Sequence, residues 1–359
     1  MRRMCRTNDA CACSSRHPRR RCISVGTRQG FFVYSCEPFA RSFQDAAGGI
    51  GLAEMLFSSS LIVLVGAGEQ PAFSPRRLRV WNTKTSAAIC DLNFVTAVLG
   101  VQLNRQRLVV VLEKKIYIFD INSMQVLNTL DTSSNPKALC VLSPADNGYL
   151  AFPAGGVAGE IVLYDAINLS VLNAVQAHRG MPVALAMNAT GTFGKKRATF
   201  RRGSYPATIY SVAFNPTSTL LCCSSDTGTV HIFSLTGLES AVTGSYSLSP
   251  MLGPVTRLEP KAATTKAMLS SYLPSSVTRI AEGARDFAYA RLRSANVPNL
   301  CALRGPLPGS NHVQVLVATI DGLFYQYALD ISTGGECVLE REHMLRDSAS
   351  EEIEAAYLS

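Results

Sequence analysis

A chain of 359 residues that is 47% hydrophobic and 17% charged holds enough apolar material for a large core and too little charge for a disordered chain. Its net charge of +8 sits at one end: residues 1–22 carry seven Arg against the single acid Asp9, which leaves +2 for the remaining 337 residues and argues against a nucleic-acid binder. The longest apolar runs, Leu61-Ile-Val-Leu-Val65 and Leu108-Val-Val-Val-Leu112, are strand-sized, well short of the about 20 residues a membrane-crossing helix needs.

The chain opens on the basic stretch 1–22, where Cys5, Cys11, Cys13 and Cys22 crowd together with His17. Their spacing fits no tetrahedral metal site, so no metal and no cofactor is expected. The total of eleven Cys is odd and irregularly spaced, and no apolar signal core precedes them; this predicts reduced thiols in the cytosol. An Arg-rich, acid-poor start also suits a transit peptide, but no amphipathic helix accompanies it. The expectation for 1–22 is a disordered tail.

From about residue 23 onward strand signals dominate, and one strand type recurs: a turn residue, then alternating apolar residues ending in an aromatic. It reads Gly30-Phe-Phe-Val-Tyr34, Leu78-Arg-Val-Trp81, Lys115-Ile-Tyr-Ile-Phe119 and Gly159-Glu-Ile-Val-Leu-Tyr164. It returns as Gly228-Thr-Val-His-Ile-Phe233 and Gly322-Leu-Phe-Tyr-Gln-Tyr327. The first three intervals between the closing aromatics are 47, 38 and 45 residues, the length of a propeller blade. The fourth, 69 residues, is too long for one blade and too short for two. A seventh blade is therefore expected, fifth in the chain and truncated. Pro182-Val-Ala-Leu-Ala-Met187 starts it, and its middle strands are missing. The last interval, 94 residues, holds an insertion at about 237–284. This is rich in Ser, Thr, Gly and Pro but carries spaced apolar residues, among them Leu248, Met251, Leu252, Met268, Leu269 and Tyr272. On composition these pack on the propeller edge or face a membrane interface. An acidic tail, 346–359, closes the chain. The fold class is thus all-β: a seven-bladed β-propeller over 23–345 with the fifth blade truncated and N-terminal closure left open.

Chemistry concentrates in two places. In Phe200-Arg-Arg-Gly203, adjacent Arg201 and Arg202 on one strand point to opposite faces and so serve two pockets. A planar guanidinium suits phosphate, and Gly203 lets a bulky group approach the backbone. In Ser224-Ser-Asp-Thr-Gly-Thr-Val-His-Ile-Phe233, the alternating Ser225, Thr229 and His231 share a face, offering hydroxyls and an imidazole to phosphate oxygens. The plainer alternatives are a solvated basic pair on an edge strand and internal hydrogen bonds within a blade. No Ser/His/Asp order, carboxylate pair or phosphate loop stands out, so an enzyme is not expected.

The double Arg followed by Ser225, Thr229 and His231 in the next blade resembles the PROPPIN family, seven-bladed propellers that bind polyphosphoinositides. Leu56-Phe-Ser-Ser-Ser-Leu61, Leu103-Asn-Arg-Gln-Arg-Leu108, Ser271-Tyr-Leu-Pro274 and Phe287-Ala-Tyr-Ala-Arg-Leu292 extend the likeness in the same order, closest to the autophagy-linked branch. The resemblance implies two headgroup pockets, one on each side of the double Arg. Arg202 would join Ser225, Thr229 and His231 in one. Arg201 would face the other, near His178, with the remaining ligands on the strands missing here. It also implies that the 237–284 loop inserts into membrane. The expected function is a monomeric peripheral membrane adaptor for phosphatidylinositol 3-phosphate or the 3,5-bisphosphate that recruits autophagy proteins to autophagosomal precursor, endosomal or vacuolar membranes. The alternative is a protein-only scaffold that has lost lipid binding. A partner face is expected around Arg76, Arg77, Arg105 and Arg107.

Overall fold

Period-two alternation of apolar and polar residues builds strands that bury one or both faces, and short Gly-, Asn-, Asp- and Ser-rich turns fold them into antiparallel sheets. The computed structural model describes residues 22–188, 198–203, 205–236, 285–306 and 311–345, with the backbone of 12–14.

Among these residues the strands form six sheets. Sheet 1 runs β1 (Ala12–Ser14), β2 (Cys22–Gly26), β3 (Phe31–Cys36), β4 (Phe39–Asp45). Sheet 2 holds β5 (Ile50–Met55), β6 (Leu61–Gly66), β7 (Arg77–Asn82) and β8 (Ala87–Asn93). Sheet 3 holds β9 (Gly100–Leu103), β10 (Arg107–Val111), β11 (Lys115–Asp120) and β12 (Val126–Asp131). Sheet 4 holds β13 (Val141–Leu142), β14 (Tyr149–Pro153), β15 (Glu160–Asp165) and β16 (Ser170–Gln176). Sheet 5 comprises β17 (Ile209–Phe214), β18 (Leu220–Ser225), β19 (Thr229–Ser234) and β20 (Ala288–Arg291). Sheet 6 comprises β21 (Asn299–Arg304), β22 (His312–Thr319), β23 (Leu323–Asp330) and β25 (Val338–Met344); between the last two, β24 (Gly335–Glu336) crosses to pair in parallel with β20 of sheet 5.

The recurring aromatic strand is the third of every sheet. Its register explains the repeat. In sheets 1–4 and 6 a bulge falls immediately before the aromatic, at Val33/Tyr34, Val80/Trp81, Ile118/Phe119, Leu163/Tyr164 and Gln326/Tyr327. A bulge adds local twist, which turns each exposed fourth strand relative to its neighbour. Sheet 5 has no such shift between β19 and β20, the two strands that flank the insertion.

The cores lie between sheets. Phe31 and Val33 of sheet 1 pack on Ile62 and Leu64 of sheet 2, and Val63, Leu78 and Val80 of sheet 2 pack on Val101, Leu108 and Val110 of sheet 3. Val109, Ile116 and Ile118 meet Leu150, Phe152 and Tyr164 in the same way. Sheets 5 and 6 bury Cys222, Val230 and Ile232 against Val315, Val317 and Tyr327. The ring closes where sheet 6 meets sheet 1 through Leu316, Ala318 and Phe324 against Ile23, Val25 and Tyr34. Polar contacts lock that seam: Tyr34 Oη donates to Leu345 O at 2.8 Å, Gln326 Nε2 to Cys36 O at 3.0 Å, and Arg304 pairs with Glu37.

Two expectations change. The propeller has six blades among the described residues, not seven. Residues 177–188, 198–203 and 205–208, where the fifth of seven was expected, form no strand. The connection from β16 to β17 is shorter than the about 40 residues of a blade. Leu185 and Met187 cover Val141, Ala151, Ile161 and Leu163 on sheet 4, and the Phe200 ring lies 4.9 Å from Phe233 of sheet 5. The N-terminal stretch also differs. Within 1–22, β1 pairs antiparallel with β2, Ala12 opposite Gly26, so part of the expected tail is the first strand of sheet 1. Among the described residues, closure comes from packing sheet 6 against sheet 1. The insertion at 237–284, with Leu248, Met251, Leu252, Met268, Leu269 and Tyr272, and the tail 346–359 lie outside the described residues. Among those described, no helix is long and apolar enough to cross a membrane.

Candidate functional site

Sheet 5 has two unlike faces. One, carrying Cys222, Val230, Ile232, Ala288 and Ala290, is sealed against sheet 6. The other faces the side where a further blade was expected, and there the register aligns Cys223 with His231, His231 with Tyr289, and Thr229 with Arg291. This face is half-buried at Cys223, Thr229, His231 and Tyr289. The turn from β18 to β19 is Asp226-Thr-Gly228; Gly228 takes φ +70°, a left-handed conformation that closes the loop without strain. That turn brings Ser225 beside Thr229.

Arg202 reaches this turn. Its Nη1 donates to Ser225 Oγ at 3.3 Å and to Thr227 Oγ1 at 2.8 Å, and its Nη2 to the Tyr205 carbonyl at 2.9 Å. Ser225 and Thr227 share a further hydrogen bond of 2.9 Å. Among the described residues no carboxylate pairs with Arg202. Asp226, the nearest acid in sequence, turns its Oδ2 to the Thr208 N–H at 2.9 Å. That hydrogen bond, helped by the Arg202 charge, holds the Asp226 carboxyl below its ordinary range, so it stays ionised. Burial pushes the nearby Cys223 thiol up to about 12, which leaves it uncharged. The result is a guanidinium held by hydroxyls and a carbonyl, groups that an incoming oxyanion can displace or join at little cost.

The other expected ligands are placed as follows. Thr229 and His231 lie on the same face as Ser225, but among the described residues neither bonds to Arg202. His231 Nδ1 is instead 2.8 Å from Asp286 Oδ2, with 14% and 24% of the two side chains exposed. Arg291, opposite Thr229, pairs with Glu336 at 3.4 Å, and Tyr289 Oη donates to the same carboxylate at 3.1 Å. Gly203 is exposed, and a Cβ added there would meet open space, so the backbone beside the double Arg is approachable. Arg201 is exposed and makes no hydrogen bond or ion pair among the described residues. His178 sits on the far side, at the end of β16, where its N–H donates to Gly159 O at 3.2 Å. Gly159 has φ +85°, and a Cβ there would lie 1.9 Å from the His178 carbonyl, so only glycine permits this approach. Arg202 and Ser225 are therefore brought together, Thr229 and His231 flank them, and Arg201 and His178 are not joined by any contact among the described residues.

Sequence reasoning missed Thr227 and Asp286. Thr227 lay inside the motif already singled out, two residues from Ser225, but a turn position hid its direction. Asp286 is 55 residues from His231 in the chain and left no local signal. The surface expected around the other Arg pairs is mostly engaged in the fold. Arg107 donates to Ala166 O at 2.7 Å and pairs with Asp120 at 3.4 Å, and Arg77 and Arg79 share Asp91. Arg76 and Arg105 stay exposed, Arg105 over the Phe57 ring at 5.3 Å.

A ring of four-stranded sheets with a charged, hydroxyl-lined notch at one blade edge defines a β-propeller with a candidate anion site. The PROPPIN family model matches residues 10–346. Autophagy-related protein 18 of Mycosarcoma maydis is 39% identical, over 91% of this chain and 90% of that protein. Its counterpart in Dictyostelium discoideum is also 39% identical, over 90% of each chain. Among solved structures, KlAtg21 in complex with the coiled coil of AgAtg16 superposes with a TM-score of 0.67 at 23% identity, covering 91% of this chain and 96% of that one. Kluyveromyces lactis Hsv2 with its complete loop 6CD gives 0.67 at 16% identity with the same coverage. The chain belongs to the PROPPIN family and is related to the autophagy protein 18 group.

Proposed function

We propose that the protein is a peripheral membrane adaptor that reads phosphatidylinositol 3-phosphate or the 3,5-bisphosphate through Arg202 and brings autophagy proteins to the marked membrane. The observation that carries this reading is the state of Arg202: a guanidinium oriented by Ser225, Thr227 and the Tyr205 carbonyl, with no carboxylate partner among the described residues, on the incompletely covered face of sheet 5. Phosphoinositide binding is a property of the family, which supports the same assignment. Thr229 and His231 complete the pocket from the next strand. Arg201 supplies charge, and among the described residues no second pocket is built around it, so one headgroup dominates. The AgAtg16 coiled coil bound by KlAtg21 suggests a helical protein partner here also.

Flotation with vesicles containing or lacking phosphatidylinositol 3-phosphate tests the reading. Binding should rise with the phosphoinositide and fall on the order of tenfold or more in Arg202→Ala, with a smaller loss in Arg201→Ala, because charge-assisted bonds of about 1.5–3 kcal/mol each are at stake. Equal flotation with and without the lipid would reject it. A second reading, a protein-only scaffold, draws on the absence of strands in the described parts of 177–208, which removes the support for a second pocket. It requires partner binding that is indifferent to Arg202→Ala.

A further inference from the structure

The segment that stands in for the truncated blade has an apolar side that outruns its cover. Met181, Val183, Leu185 and Met187 recur at every second position. The last two rest on sheet 4. The first two are left open: Met181 is 64% and Val183 44% exposed.

The position of that overhang follows from the strand order. Gln176, the end of β16, pairs with Glu160 beside the β14–β15 turn, and Ile209, the start of β17, pairs with Ser225 beside the β18–β19 turn. Both ends of 177–208 therefore lie at the same kind of turn. Every blade repeats the same up-and-down order, so these turns share one end of the ring. Met181 leaves the β16 end together with His178 and Arg179, next to the turn that exposes Val157. Tyr205, 85% exposed, lies at the Arg202 pocket, its carbonyl held by that guanidinium. Among the described residues Arg179 and Arg201 are exposed and carry no ion pair. Exposed apolar side chains interleaved with uncompensated cations at one end of a rigid body match an anionic lipid surface, where the apolar groups enter the headgroup boundary and the cations stay outside it.

We propose that Met181, Val183 and Tyr205 form an interfacial contact that enters the lipid bilayer at the end of the ring that carries the Arg202 pocket, taking the place of a second headgroup site. The contact rests on the lipid reading above and adds a second point of attachment on the same body, which raises avidity without a second specific ligand.

The test uses the full chain and vesicles of phosphatidylcholine and phosphatidylserine with or without phosphatidylinositol 3-phosphate. The double variant Met181→Ser/Val183→Ser should bind phosphoinositide vesicles roughly tenfold more weakly while keeping its relative preference for the phosphoinositide. Val126→Ser/Val171→Ser, on the exposed outer strands of sheets 3 and 4 at the opposite end of the ring, is the control and should bind as the wild type does. Tyr205→Trp adds a second indole to the single native Trp, and its emission should shift to the blue on vesicle binding. Undiminished binding by the Met181/Val183 variant, or an unshifted emission from the Tyr205→Trp variant while binding persists, overturns the interfacial contact and leaves the Arg202 reading standing. A wild type indifferent to the phosphoinositide overturns the lipid reading and the contact with it. A wild-type dimer in light scattering that the Met181/Val183 variant dissociates, with flotation unchanged, would assign the patch to a second copy and also overturn the proposal.

Discussion

A guanidinium is useful to an anion only when it is oriented and unneutralised, and Thr227, at 2.8 Å, makes the shortest of the three hydrogen bonds that orient Arg202. Thr227→Ala should weaken phosphoinositide binding several-fold, while Thr227→Ser, which keeps the hydroxyl, should bind close to wild type; titration calorimetry with a soluble inositol phosphate reads both. Thr227 is exposed, and losing its hydroxyl costs about 1 kcal/mol of stability or less, so a melt that barely moves would show that the effect lies in the pocket. Arg107 makes the opposite case. It is a candidate partner contact by sequence, yet it braces sheet 3 to the end of sheet 4 through Ala166 O and pairs with Asp120 within sheet 3. Arg107→Ala should therefore lower the melting temperature more than Arg105→Ala, whose head only rests on Phe57. Charge and spacing look alike for these residues in the sequence; the difference lies in what the fold sets opposite each guanidinium.

At the scale of elements, the seam between sheets 6 and 1 carries a titratable group. His343 of β25 stacks on Phe39 of β4 with ring centroids 3.9 Å apart, and its Nε2 is buried without a hydrogen-bond partner among the described residues. Burial, reinforced by Arg341, lowers its pKa below the ordinary 6.5. A base with a depressed folded pKa leaves the unfolded chain binding more protons, so its stabilising contribution is complete above pH 6.5 and is lost as the pH falls through the folded value. The melting temperature should drop on acidification below that point, and His343→Phe should flatten the dependence while keeping the stack; an unchanged slope in the variant would place the acid sensitivity elsewhere. The strands that frame this seam were legible in advance because the aromatic closing each third strand repeats. The bulge before that aromatic was not, since it comes from how a fourth strand must twist against a third.

For the whole molecule, the ring has one strong closure and one weak link. Two whole sheets close it at Tyr34 and Leu345, whereas the described residues between sheets 4 and 5 cover them only locally, Leu185 and Met187 on sheet 4 and Phe200 on sheet 5. Hydrogen exchange should therefore open β16 and β17 before β22 and β23, since local opening follows the poorest burial. Leu185→Ala should cost about 2 kcal/mol, at the lower end for a large-to-small change because the site is half-buried, and Tyr34→Phe about 1 kcal/mol. Protection that is equal on both sides of the ring would contradict this division.

Composition and the recurring aromatic strand were enough to establish an all-β propeller, because period and turn chemistry are local properties of a chain; the gap in the spacing pointed to a truncated seventh blade, and the structure has six among the described residues. The double Arg and the Ser225 to His231 strand were legible for the same reason: each is a short motif whose faces follow from strand geometry. The number of blades, the strand contributed by the N-terminal stretch, and the contacts of Thr227 and Asp286 emerged only in three dimensions. They depend on which distant segments meet and how much room a ring leaves between its sheets, and no spacing along the chain encodes that.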